Sequence, residues 1–272
     1  MSQGRGSLTA VGLGICAPAQ TTLETKSTIE HAEKVFSLVA DPLSEYWLRT
    51  LNPNTESLSA YYEVGKDRQK TYDEMVERVV DAVRSGLRVC AAAYGHPGVA
   101  AYPLHESVRR LHAEGYDARM LAAVSTEDCL FADLGIDPVV VGCRSYEATD
   151  FLVYRREMDA SSYLILWQVG AIAEPGHKLQ RSAWNPQGIV VLMERLLEVY
   201  LSDHEAIVYE AAQIPGGQAR IERIELGTLA QAAVPVMSTL IVPPMVYATA
   251  DLDMLQRLGI DLSETSATAL PT

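Results

Sequence analysis

The sequence is short of most features that mark a secreted, membrane-bound or nucleic-acid-binding protein. Its four cysteines, Cys16, Cys90, Cys129 and Cys143, are scattered over 272 residues with no CxxC pair. That excludes a zinc ribbon and a dense disulfide framework, and three of the four sit in apolar runs of the kind that bury free thiols. A reduced, cytoplasmic setting is therefore expected. No apolar run approaches the ~20 residues that span a bilayer, so no membrane association is expected. Positive charge is scarce too: 22 Lys and Arg against 35 Asp and Glu leave a net charge of -13. The longest basic clusters are the pairs Arg109-Arg110 and Arg155-Arg156, whereas nucleic-acid affinity rests on clustered Lys and Arg.

The six histidines, His31, His96, His105, His112, His177 and His204, form no HxH or HxxxH pair, so no metal site is expected. There is no GxSxG elbow, no Walker loop and no Cys with an evident His partner, which leaves hydrolase and nucleotide triphosphatase readings without support. One stretch imitates a signal peptide: Arg5, the apolar run 8–17, then Ala17-Pro18-Ala19. Gly12 and Gly14 punctuate that run, and a strand followed by a turn accounts for them.

What is present is ample material for one or two compact cores, with 48% hydrophobic and 21% charged residues. Apolar runs over 8–16, 35–40, 87–94 and 118–124 read as strands. Helical spacing over 21–34, 71–85, 104–113 and 126–134 separates them, with turns at Asp41-Pro42 and Asn52-Pro53-Asn54. Alternating strands and helices imply a mostly parallel, Rossmann-like α/β sheet, and in such sheets ligands lie beyond the carboxyl ends of the strands. The loops after Cys16, Tyr94 and Val124 are thus the expected ligand loops. Past Gly135-Ile136-Asp137-Pro138 the texture becomes α+β. Strands are expected over 139–146, 163–169, 206–211, 219–225 and 238–242, with helices over 189–201 and 252–258. The expected division is a lobe over 1–137 and a second over 138–272.

Gly12-x-Gly14 after the first strand serves as readily in a plain tight turn as in a ligand cradle. Tyr94-Gly95-His96-Pro97-Gly98 is read in two ways, as a cofactor loop or as a helix-entry turn with His96 bonded locally. The segment 61–72 holds Tyr61, Tyr62, Arg68 and Tyr72 in a chain only 7% aromatic. Arg68 and Tyr72, four apart, share a face if the helix starts early enough, and a guanidinium beside a phenol lowers its pKa, as a tyrosine base would need. From spacing alone, a solvated helix start with Tyr61 packed on the core is the plainer reading.

The strings AAAYGHPGVAAYPLH, VSTEDCLFADLGIDP, YLILWQ, VYEAA and ARIERIEL followed by STLIVPP occur in this order over residues 8–262. Together they resemble the borosin α-N-methyltransferases, a branch of the tetrapyrrole methylase superfamily. The resemblance implies that fold, S-adenosylmethionine (SAM) as methyl donor with S-adenosylhomocysteine as product, and iterative methylation of backbone amide nitrogens in a ribosomally made precursor peptide. It further implies a homodimer of mutually wrapped subunits. Carried over residue by residue, it makes Tyr94, His96, Val99, Ser125, Thr126, Gln168, Tyr209, Ala211, Ser238 and Thr239 cofactor contacts. Tyr62, Arg68 and Tyr72 become the catalytic group: Tyr62 the base, Arg68 the cation that lowers its pKa, and Tyr72 the donor to the developing oxyanion. Fused relatives end in their own core peptide, whereas the tail 263–272 holds no apolar stretch. A split enzyme is expected, acting on a separate precursor with a helical leader and a C-terminal core, in a heterotetramer. Two alternatives stand beside this reading. One is C-methylation of a tetrapyrrole of the precorrin or uroporphyrinogen type, and the other is a catalytically silent subunit that binds SAM and peptide. Ribosomal RNA methylation is disfavoured by the acidity of the chain.

Overall fold

The computed structural model describes residues 5–39, 41–63, 65–174 and 184–260. Two five-stranded sheets organise the chain. The first contains β1 (Ser7–Gly12), β2 (Lys34–Leu38), β3 (Thr55–Ser57), β4 (Arg88–Ala93) and β5 (Asp117–Met120), in the order β3-β2-β4-β1-β5. Every pairing in it is parallel. Successive residues of β1 and β4 point to opposite faces, and both faces are covered, which is why these strands read as unbroken apolar runs. On one face Leu8, Ala10, Val89 and Ala91 pack against α3 (Arg68–Arg84) and α4 (Tyr102–Ala113). On the other, Val11, Cys90 and Ala92 meet Ile29 of α1 (Leu23–His31) and Leu48 of α2 (Pro42–Leu51). Helix α3 alone buries Met75, Val76, Val79, Val80 and Val83, each contributing roughly 1.5–3 kcal/mol of transfer free energy.

The second sheet runs β6-β7-β10-β8-β9, from β6 (Cys143–Glu147), β7 (Tyr163–Trp167), β8 (Glu205–Glu210), β9 (Arg220–Glu225) and β10 (Thr239–Val242). It is mixed: β6 and β7 are parallel and the remaining pairs antiparallel. One face packs on α7 (Ala148–Val153) and α8 (Pro186–Leu196) through Phe151, Ile189, Leu192 and Leu196. The other face packs on α5 (Thr126–Leu134), whose Leu130 lies among Ile165, Ile207, Tyr209 and Ile241. Helix α5 precedes residue 137 in the chain yet belongs to the core of the second sheet.

Two readings of the sequence need correction. The chain does bend at Asp41 and turn at Pro53-Asn54, but a helix missing from the sequence reading, α2, lies between them. Asp41 caps it by accepting from the Ser44 amide at 2.8 Å, and Pro42 occupies its first turn. The strand expected over 139–146 begins only at Cys143. Asp137 caps the short helix α6 (Pro138–Val141) in the same way, accepting from the Val139 amide at 2.9 Å, before Gly142 turns the chain at φ +82°. The end of the strand expected over 35–40, His177 and the tail 263–272 lie outside the described residues. The last described helix is α9 (Leu252–Leu258). Among the described residues no helix is long and apolar enough to cross a membrane, and no cluster of three metal-ligating side chains occurs.

Candidate functional site

A cavity of about 820 Å³ opens between the carboxyl ends of β1, β2 and β4 and the 167–174 and 236–239 segments of the second lobe. Ligand pockets commonly span ~300–1,000 Å³. One wall is the loop that leaves β4. The Tyr94 amide donates to the Leu38 carbonyl at 3.1 Å, and Gly95 exchanges backbone hydrogen bonds with Gly14 at 3.0 and 3.3 Å. His96 Nδ1 accepts from the Gly98 amide at 2.9 Å. His96 is bonded locally, as the helix-entry reading expects, and with Tyr94 and Val99 it also lines the cavity. Beside it, Ala100 holds φ +51°, a left-handed conformation unfavourable for a residue with a Cβ.

Gly12 and Gly14 do not line the cavity. A Cβ on Gly12 would stand on the Gly95 carbonyl and 2.8 Å from Pro97 Cδ, while Gly14 sits at φ +75° with the Gln20 side chain over it. These glycines let the 94–99 loop lie flat on β1, which is the structural reading of that motif.

The facing wall comes from α5. Ser125 is its N-cap: its hydroxyl donates to Asp128 Oδ2 at 2.7 Å and accepts from the Asp128 amide at 3.2 Å, while its own amide donates to the same carboxylate at 2.6 Å. The capping box commits this side chain to the helix and sets Ser125, Thr126 and Glu127 at the cavity edge. The second lobe adds Gln168, left-handed at φ +57°, together with Trp167 and Thr239. Ser238 fixes that turn by accepting the Val169 amide on its carbonyl at 3.2 Å.

Tyr209, Ala211 and Ser238 lie outside the cavity lining. Tyr209 and Ser238 are fully buried. Tyr209 donates to Asp133 Oδ2 at 2.7 Å, and Ser238 Oγ donates to Glu210 Oε1 at 2.8 Å, a carboxylate also held by Arg220 at 2.6 Å. Tyr209 pairs with Thr239 across β8 and β10, so it stands beside a lining residue on the same face of the sheet.

Tyr62, Arg68 and Tyr72 all line the cavity. A 3₁₀ turn over Leu58–Tyr61 delivers Tyr62, and α3 starts at Arg68 because Asp67 caps it, accepting from the Lys70 amide at 2.9 Å. The early start puts Arg68 and Tyr72 one turn apart on one face. The rings of Tyr62 and Tyr72 meet edge to face at 6.5 Å, and Tyr72 stacks on Tyr102 at 5.9 Å. Tyr61 packs on the core beside them. Burial, followed by the hydrogen-bonded Tyr72 phenol, pushes the Tyr62 pKa well above the ordinary phenol value, and Arg68 opposes them only in part. The sequence expectation was a lowered pKa. In this state desolvation outweighs the guanidinium, and Tyr62 is a neutral phenol.

Sequence reasoning missed three lining carboxylates, Glu127, Glu147 and Glu174. Glu147 is also the N-cap of α7, accepting from the Asp150 amide at 2.7 Å. Glu127 was visible as a first-turn acid of an expected helix. Glu174 follows a strand of the other lobe and carries no local signal.

Residues 7–233 match the family profile of Tetrapyrrole (Corrin/Porphyrin) Methylases. Over 259 residues the chain is 42% identical to a methyltransferase/ribosomally synthesized cyclic peptide gymnopeptides precursor of Gymnopus fusipes, covering 94% of this chain and 61% of that protein. It is 41% identical over 259 residues to the corresponding omphalotin A precursor of Omphalotus olearius, covering 94% and 62%. Against a type III borosin cyclic peptide precursor of Anomoporia bombycina it is 38% identical over 259 residues, covering 94% and 30%. The chain thus spans about three fifths of the first two relatives, 61% and 62% of their length. The crystal structure of uroporphyrin-III-C-methyltransferase from Thermus thermophilus superposes with a TM-score of 0.62 at 19% identity, covering 92% of this chain and 99% of that one. That likeness shows the α/β fold expected from the sequence, a parallel sheet followed by a second, mixed sheet.

Proposed function

The chain belongs to the tetrapyrrole methylase family, and on that footing we propose that it is a SAM-dependent methyltransferase that modifies backbone amide nitrogens of a ribosomally made peptide. The observation that carries this reading is the placement of Tyr62, Arg68 and Tyr72 in one cavity with the 94–99 loop and the N-terminus of α5. The borosin relatives, named as methyltransferase and peptide precursor together, support the substrate class.

The cavity suits SAM chemically. Among the described residues its lining joins apolar side chains such as Ile15, Leu38 and Met237 to three carboxylates, with Arg68 the one Lys or Arg. That balance favours a ligand carrying sulfonium and ammonium charge on an apolar, planar body. Tyr94, His96, Val99, Ser125, Thr126, Gln168 and Thr239 would hold it, Ser125 by van der Waals contact since its hydroxyl and its amide are both committed to Asp128. Tyr209, Ala211 and Ser238 would support that wall. SAM, when bound, supplies a methyl group activated on sulfonium.

An amide nitrogen is barely nucleophilic because its lone pair is shared with the carbonyl, so its proton must leave and the resulting oxyanion must be stabilised. Tyr62 first gives up its own proton to solvent, and the phenolate so formed takes the amide proton at Oη while Tyr72 donates to the imidate oxygen. Arg68 provides fixed positive charge that offsets the phenolate before the transfer and the imidate after it. The walls around them exclude water and align the peptide. We take the enzyme to be a cytoplasmic homodimer, to which α9 lends support: no residue of this seven-residue helix is buried, and Leu252 and Leu258 are 74% and 64% exposed. So short a helix is not self-supporting and calls for a partner. The precursor is taken as a separate chain, completing a heterotetramer, with successive methylations on each core.

The test is co-expression with a separately encoded precursor peptide and tandem mass spectrometry. The expected result is successive gains of about 14 Da localised to backbone nitrogens. Methylation of a tetrapyrrole carbon instead, or peptide and SAM binding with no transfer, would reassign the protein to one of the two alternatives.

A further inference from the structure

The two walls of the cavity approach one another at a residue that lines neither. Gln20 follows the turn after β1. Its Oε1 accepts from the amides of Ile15 and Cys16 at 2.8 and 2.9 Å, which pins that strip of backbone, and Ile15 is part of the cavity wall. The other end of the same amide, Nε2, donates to Cys129 Sγ at 3.4 Å. Cys129 lies on α5, and its amide donates to the Ser125 carbonyl at 3.3 Å.

Helix α5 is otherwise held by the second lobe. Leu130 is buried against β7, β8 and β10, and Asp133 accepts from Tyr209. The Gln20 side chain therefore spans from the first sheet to an element seated on the second. The local backbone is shaped around it: Gly14, at φ +75°, faces the Gln20 side chain, with Oε1 3.0 Å from where a Cβ would stand. The Gln20 amide is itself fixed to the Cys16 carbonyl at 3.0 Å. A primary amide is suited to this post, since it accepts two N–H groups at one end and donates at the other.

We propose that Gln20 is a positioning residue that clamps the Ile15–Cys16 wall to α5 and so sets the separation of the two walls that receive the cofactor. This deepens the proposed function and rests on it for the identity of the ligand. The clamp itself is a property of the chain.

The experiment uses the full-length protein and the variants Gln20→Met, Cys129→Ala and Cys129→Ser, with two readouts. Hydrogen exchange at the Ile15 and Cys16 amides reports the clamp without any ligand. Calorimetric titration with S-adenosylhomocysteine reports the wall separation. Gln20→Met should speed exchange at both amides, and Cys129→Ala should leave them unchanged. Both should weaken S-adenosylhomocysteine by about tenfold, whereas Cys129→Ser, which keeps an acceptor for Nε2, should bind like the parent. The double variant Gln20→Met/Cys129→Ala should be no worse than Gln20→Met alone. Parent-like affinity in Cys129→Ala, or additive losses in the double variant, would overturn the clamp. A parent protein that does not bind S-adenosylhomocysteine, with the exchange pattern intact, would count against the proposed cofactor and not against the clamp.

Discussion

The phenol of Tyr209, in the middle of the second sheet, donates a hydrogen bond of 2.7 Å to Asp133 in the last turn of α5. Burial and this carboxylate hold Tyr209 firmly protonated. Asp133 is exposed, so it can turn to water if the phenol is removed. Tyr209→Phe should therefore cost only about 1 kcal/mol of unfolding free energy, while Tyr209→Ala, which empties a fully buried site, should cost about 3–5 kcal/mol. Urea titration of the two variants measures both.

Tyr62 sets the pH dependence of the proposed reaction. Its folded pKa lies above the ordinary phenol value, and the base form is the one that accepts the amide proton. Turnover should thus keep rising with pH through the neutral and mildly alkaline range. Arg68→Ala removes the guanidinium that lowers this pKa and should displace the rise to still higher pH. Tyr62→Phe should reduce turnover by about 10²–10⁴-fold at every pH. A flat profile between pH 7 and 9 in the parent protein would remove Tyr62 from the base role.

Gly12→Ala places a methyl group on the Gly95 carbonyl and 2.6 Å from Ala123 Cβ. The 94–99 loop must lift off β1 to admit it. The expected outcome is a loss of about 1–3 kcal/mol in stability, accompanied by weaker S-adenosylhomocysteine binding. Thermal unfolding and calorimetric titration give the two readings.

Ser238→Ala removes a fully buried donor to Glu210, but Arg220 still neutralises that carboxylate. The loss should be about 1 kcal/mol. Adding Arg220→Ala removes both of these partners from Glu210, and the loss in the double variant should exceed the sum of the two single losses. A double-mutant cycle by chemical denaturation tests this coupling.

Strands β1, β2 and β4 were legible because their buried faces write each of them as an apolar run, whereas the edge strand β3, only Thr55–Ser57, was not read at all. Helix α2 was not legible either, because Asp41-Pro42 and Asn52-Pro53-Asn54 signal a break in the chain whether a loop or a capped helix lies between them. Of the loops expected after Cys16, Tyr94 and Val124 by the rule for parallel sheets, the last two contribute to the cavity wall, whereas β1 already ends at Gly12 and its lining residue, Ile15, precedes Cys16. What stayed hidden depends on the second lobe folding over the first. Trp167 and Glu174 reach the cavity only through that arrangement. The protonation of Tyr62 depends on how deeply the first-lobe core and Tyr72 bury it, and spacing along a chain contains no depth.

Helix α5 has consequences for dissecting the molecule. The chain's visible punctuation, Gly135 through Pro138, invites a cut there, but a first-half fragment ending at that point would carry Leu130 and Phe131 into water with no surface to receive them. A fragment stopped at Met120, the end of β5, keeps its five strands and leaves the helix with the half that shelters it. Complementation of two separately produced halves should accordingly succeed with the break between residues 121 and 124 and give aggregates with the break at 137.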